Sequence, residues 1–130
     1  MKRFVIPLML VTMSGMNARA IEWWHDPDRG CGTLEGWSKT QRISDIPGCS
    51  GDLPKGAPAG EVALHDAKVN LAAAEKILDS NRTAGAQELI ERAASTMNRA
   101  PSDPRVNWAR PFYSSAADML RKRLTKAAAL

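Results

Sequence analysis

The residues of this chain whose types could carry chemistry are two cysteines, two histidines and a group of tryptophans. Cys31 and Cys49 are the only cysteines among 130 residues. They lie 18 positions apart with no C-x-x-C motif between them. Such an isolated even pair in an exported protein reads as a structural disulfide rather than a redox catalyst. Closing a loop of that length stabilises by about 3 kcal/mol when the gain comes from restricting the unfolded chain. His25 stands beside Asp26, and His65 beside Asp66. A histidine next to a carboxylate is the raw material of a general base. No nucleophile motif accompanies either pair, and His65 falls off the main apolar stripe of a helical segment, so it reads as a solvated side chain. His25, Cys31, Cys49 and His65 also form a possible zinc set, but their spacings of 6, 18 and 16 match no compact ligand motif. Using both thiols would also forfeit the disulfide. The run Asp26-Pro27-Asp28-Arg29-Gly30 resembles the start of a calcium loop, but its glycine is misplaced and no glutamate closes it. The expectation is no catalytic residue, no metal and no cofactor.

Contact chemistry is better represented. Trp23, Trp24 and Trp37 sit in a segment with few other large apolar residues. Tryptophan supplies large rigid contact area and stacks on sugars and cations, so these three are the candidate partner-binding aromatics. The competing reading has them covering a small core. Trp23 and Trp24 are adjacent, so in extended backbone they point to opposite sides, one inward and one outward. Arg121-Lys122-Arg123, with Lys126, forms a basic cluster near the C-terminus. Cations there oppose the negative end of a helix dipole, and as a contact surface they would meet an acidic partner or an anionic lipid face. Asn81-Arg82-Thr83 matches a glycosylation acceptor, which matters only in a eukaryotic secretory pathway.

The first 20 residues have the layout of a secretory signal. Met1-Lys2-Arg3 is positive, Phe4 to Met16 is mostly apolar, and Asn17-Ala18-Arg19-Ala20 ends in small residues. Cleavage after Ala20 is expected, giving a periplasmic or secreted protein. The apolar run is too short for a span, which needs ~20 residues. The chain carries 18 basic and 14 acidic residues, a net +4. Lys2, Arg3 and Arg19 leave with the signal, so 15 basic residues face the same 14 acidic ones and the mature net charge is +1. That near-neutrality argues against nucleic acid as a partner.

The mature chain divides near Ala57-Pro58. Residues 21–58 are rich in Gly, Pro, Asp and Ser and carry 4 basic against 6 acidic groups. Residues 59–130 carry 11 basic against 8 acidic groups and show helical periodicity. Leu64, Ala67, Leu71, Ala74 and Leu78 recur at three and four positions and predict a helix over 60–79, with Val62, Val69 and Ile77 widening its stripe. Ser80 to Thr83 is a turn. Ala86, Leu89, Ile90, Ala93, Ala94 and Met97 predict a second helix over 84–99. Ser102 or Asp103 can cap a further turn with Pro104 at its first position. Pro111 is expected to break that pattern, leaving a short turn over 104–109 and a helix over 111–128. Phe112, Ala116, Met119, Leu120 and Leu124 form the apolar side of that helix, and Trp108 is expected to pack under the junction.

Helices with one apolar face and short connections assemble as antiparallel neighbours. The expected fold is therefore all-α: a small bundle of about three helices with an irregular, disulfide-closed N-terminal segment. The expected function is a small exported, non-enzymatic binding or accessory protein acting on another envelope or secreted protein. Alternatives are a glycan or cell-wall binding module using exposed tryptophan, or an enzyme built on a His/Asp pair. Peripheral contact with an anionic membrane is the most the basic cluster supports, and self-association is open.

Overall fold

The computed structural model describes residues 27–129. Its frame is three long helices and a short one. Helix α1 spans Leu34–Thr40, α2 Ala59–Asp79, α3 Ala86–Arg99 and α4 Pro104–Ala129. The two-residue strands β1 (Cys31–Gly32) and β2 (Gly48–Cys49) pair antiparallel, with Cys31 opposite Cys49. The expected disulfide joins these two residues. The N-terminal segment is therefore more ordered than its composition implied. It forms a strap over residues 29–51 that carries β1, α1, a 3-10 turn at Ile43–Asp45 and β2.

Local chemistry explains the strap's path. The Thr33 hydroxyl accepts from Gly36 N at 3.0 Å and caps α1. Gln41 ends α1 in a left-handed conformation, φ 54°, with its N–H donating to Trp37 O. Trp37 and Ile43 then turn inward beside Ile46, all three fully or nearly fully buried. Gly48 has φ +124°, where a side chain would be strained, and a Cβ there would strike the Tyr113 hydroxyl. Glycine at 48 is thus required twice over.

The helices follow the periodicity closely. On α2, Leu64, Ala67, Leu71, Ala74 and Leu78 are buried, and they meet Ala86, Ile90, Ala93 and Met97 of α3 in one core. Val69 departs from the expected stripe and is 40% exposed. The largest departure is α4, which runs unbroken from Pro104 to Ala129 with Pro111 inside it. Proline at 111 removes the N–H that would meet the Asn107 carbonyl. Pro111 lies on the exposed side of the helix, where such a carbonyl can turn to water. Val106, Ala109, Tyr113, Ala116, Ala117 and Leu120 meanwhile form one continuous buried line across the proline. That line outweighs one lost hydrogen bond. The start of α4 is also pinned: Asp103 Oδ1 accepts from Val106 N at 2.9 Å, and Arg110 Nη2 donates to Ala100 O at 2.9 Å. Trp108 does not pack under a junction. It is 43% exposed, with its ring edge-on to Phe112 at a centroid distance of 5.2 Å.

Candidate functional site

The most unusual chemistry lies where the strap meets α2. Lys68 sits on the apolar face of α2, between Leu64 and Leu71, and is completely buried. Four carbonyls surround its Nζ, those of Gly30 at 2.8 Å, Ser44 at 3.0 Å, Ile46 at 3.1 Å and Gly48 at 2.8 Å, and share its three N–H donors. All four acceptors belong to the strap. Burial pushes the Lys68 amine down to about 8, and the charge of Asp45 opposes that shift. The carbonyl cage favours the ammonium as Asp45 does, so Lys68 is charged at neutral pH.

Other polar groups of the bundle serve the same junction. Glu75, buried on α2, accepts from Ile43 N at 3.2 Å and faces Arg42 at 3.5 Å. Asp79, at the end of α2, takes Arg42 at 2.5 Å from the strap and Arg123 at 2.9 Å from α4. Hydrogen bonds from Arg42 and then Arg123 hold the Asp79 carboxyl below the usual carboxylate range. From α4, Tyr113 donates its hydroxyl to Pro47 O at 2.8 Å, and burial raises its ionisation far above the ordinary phenol value. Glu61, also buried on α2, pairs instead within the bundle, with Arg105 of α4.

The residues singled out from the sequence fall in different places. Trp23, Trp24, His25 and Asp26 lie outside the described residues, as do the signal-like residues 1–20. Trp37 is 3% exposed and belongs to the core, so it offers almost no surface to a partner. Cys31 and Cys49 are bonded to each other, which removes both thiols from the zinc set considered above. His65 Nδ1 lies 3.0 Å from Asp66 Oδ1, a contact between chain neighbours.

The basic cluster is divided by its ion pairs. Arg121 grips Glu91 of α3 at 2.8 and 2.9 Å and Asp118 at 2.7 Å. The hydrogen bond to Glu91 is the main reason its charge is held more firmly than an ordinary guanidinium's. Arg123 is engaged with Asp79. Lys122 and Lys126 are exposed and line a shallow depression with Ser115 and Met119. Two arginines thus tie helices together, and two lysines face outward.

Lys68, Glu75 and Tyr113 did not stand out in the sequence. One signal was there. Glu61, Lys68 and Glu75 recur every seven residues along the α2 stripe, each within a turn of buried apolar positions. A charge on an apolar face must find a partner, and three at that spacing mark a face that receives something polar.

Among the described residues no helix is long and apolar enough to cross a membrane. Comparison with protein-family models, with curated proteins and with solved structures finds no match.

Proposed function

We propose that this chain is a small exported binding protein, without enzymatic activity, that docks another envelope or secreted protein through an aromatic surface. The observation that carries the reading is Trp108, whose indole is 43% exposed while Phe112 braces it edge-on. An aromatic held this way gives up little freedom on binding, which is what makes tryptophan effective at the centre of interfaces. The Cys31–Cys49 bond supports an oxidising compartment, the destination that the signal-like start implies. Trp23 and Trp24 belong to the same reading, and Lys122 and Lys126 supply outward charge that steers an acidic partner.

The test is mild crosslinking and affinity purification from the native compartment, comparing wild type with Trp108→Ala and with Trp23→Ala/Trp24→Ala. Loss of one specific crosslinked protein in either variant supports the reading. Retention of every captured protein in both variants refutes it. The same exposed indole favours a glycan as the second reading. That version predicts quenching of tryptophan fluorescence by cell-wall fragments, abolished in Trp108→Ala.

A further inference from the structure

We propose that residues 29–51 form a latch, which thiol–disulfide exchange opens while α2, α3 and α4 stay folded. This inference is independent of the binding role. The strap's polar ties to the bundle converge on few points. Four carbonyls meet the Lys68 ammonium, Ile43 N meets Glu75, Arg42 meets Asp79, and Pro47 O meets Tyr113. The two shortest contacts to Lys68, both 2.8 Å, come from Gly30 and Gly48. These residues immediately precede Cys31 and Cys49. The disulfide therefore sets the spacing of the two carbonyls that hold the ammonium most closely.

Opening is unequal in its effects on the two sides. Once the strap lifts, Lys68 reaches water, which solvates its charge better than any protein cage. The bundle keeps packing of its own, because α2, α3 and α4 each contact the other two directly. Ala74 and Leu78 of α2, Ile90, Ala93 and Met97 of α3, and Ala116, Ala117 and Leu120 of α4 are buried there, in the same core that Trp37, Ile43 and Ile46 of the strap complete. The strap takes with it the burial of Trp37, Ile43 and Ile46. Closure depends on holding those three in place, and the covalent loop does this by limiting what the released strap can explore.

The chemistry balances with a dithiol as reductant. Cys31 is half-buried, and Cys49 is 5% exposed. The donor's thiolate attacks the more accessible Cys31 sulfur, forming a mixed disulfide and releasing Cys49 as thiolate, which takes up a proton. The donor's second thiol then attacks its own sulfur in the mixed disulfide, and Cys31 leaves as thiolate and is protonated. The donor ends as a disulfide and the chain as two thiols, a transfer of two electrons and two protons.

The test is amide hydrogen exchange on the full chain at neutral pH, with and without dithiothreitol, alongside a count of free thiols. The informative strap amides are Ile46, Ser50 and Gly51, which donate to Ile43 O, Gly30 O and Arg29 O. On reduction they are expected to exchange on the order of a hundredfold faster, the factor that matches loss of loop closure. Amides of Ile90 to Met97 keep their protection. Three results overturn the proposal: no reduction of the bond in the folded protein, reduction with strap protection intact, or equal acceleration in strap and bundle. Cys31→Ser/Cys49→Ser without reductant is expected to give the reduced pattern, and a variant that does not fold overturns a separable latch.

Discussion

Replacing Lys68 by methionine separates its charge from its stem. Methionine keeps an unbranched chain in the same space and removes the ammonium. The lowering of the Lys68 amine from 10.5 to about 8 places about 3 kcal/mol against the buried charge, and the variant recovers this. In return, four carbonyls lose a donor. Those of Gly30 and Ser44 belong to residues open enough to turn to water, whereas Ile46 and Gly48 are buried. A buried carbonyl left without its donor costs about 1–3 kcal/mol, so the pair costs about 2–6. The difference runs from about 1 kcal/mol of gain to about 3 kcal/mol of loss for Lys68→Met at pH 7, centred on a loss of about 1. Lys68→Ala also empties the space of the stem, adding about 2–3 kcal/mol. Urea unfolding followed by circular dichroism measures both. A methionine variant as damaged as the alanine variant would refute this reasoning, because the ammonium and not its stem would then dominate.

The same variant carries a pH signature. The unfolded chain holds its lysine proton to about 10.5, and the folded chain releases it from about 8. Between these values the unfolded state binds more protons, so stability rises with pH. Wild type is expected to gain up to about 3 kcal/mol over that window, and Lys68→Met none. Arg42, Asp45, Glu75, Asp79 and Tyr113 are the other titratable groups at this junction, and Tyr113 acts in the opposite direction. Above pH 10 an unfolded phenol ionises while buried Tyr113 does not, so stability falls there. Tyr113→Phe removes that fall.

Further outcomes are expected. In urea titrations, Cys31→Ser/Cys49→Ser lowers stability by about 3 kcal/mol, and a loss below about 1 kcal/mol would mean the loop is restrained without its bond. Gly48→Ala costs about 2–4 kcal/mol through its positive φ and the collision with Tyr113, and pairing it with Tyr113→Phe recovers the part due to the hydroxyl, measured as a double-mutant cycle. In acid, stability falls as the pH drops below about 4, because arginine partners hold Asp79 and Glu91 below their ordinary ionisation in the folded state only. Thermal unfolding of Asp79→Asn shows a shallower acid decline, and salt reduces the effect in wild type.

The helical part was legible because a stripe of apolar residues at three and four positions has few other solutions. Leu64 to Leu78 and Ala86 to Met97 needed no tertiary information. Pro111 misled because its local rule is strong, while the line from Val106 to Leu120 that overrides it shows only once Tyr113 is counted as core. Trp108 was expected under a junction at Pro111, but α4 runs through that point and its position on the helix turns it outward. The strap was legible only through its two cysteines. Short turns fixed by Thr33, Gln41 and Gly48 leave no period to read, and the carbonyls that hold Lys68 are backbone atoms that every sequence has. Position 68 did carry a trace, a lysine on an apolar face, but which acceptors would meet it was decided by the fold of a distant segment.

The seven-residue recurrence of Glu61, Lys68 and Glu75 also shapes what the chain does when it is incompletely folded. An amphipathic helix with an uncovered apolar face ordinarily invites a second helix, and such encounters lead to aggregation. The uncovered face of α2 would present Leu64 and Leu71 with a hydrated ammonium between them and carboxylates a turn beyond. A plain apolar helix laid there would strip water from Lys68 and Glu75 and return no hydrogen bonds, while Glu61 keeps its pairing with Arg105 of α4. A segment that offers carbonyls at the spacing of the strap suits that face better than an apolar helix does, so these charges disfavour a foreign helix there whenever the proposed latch is open.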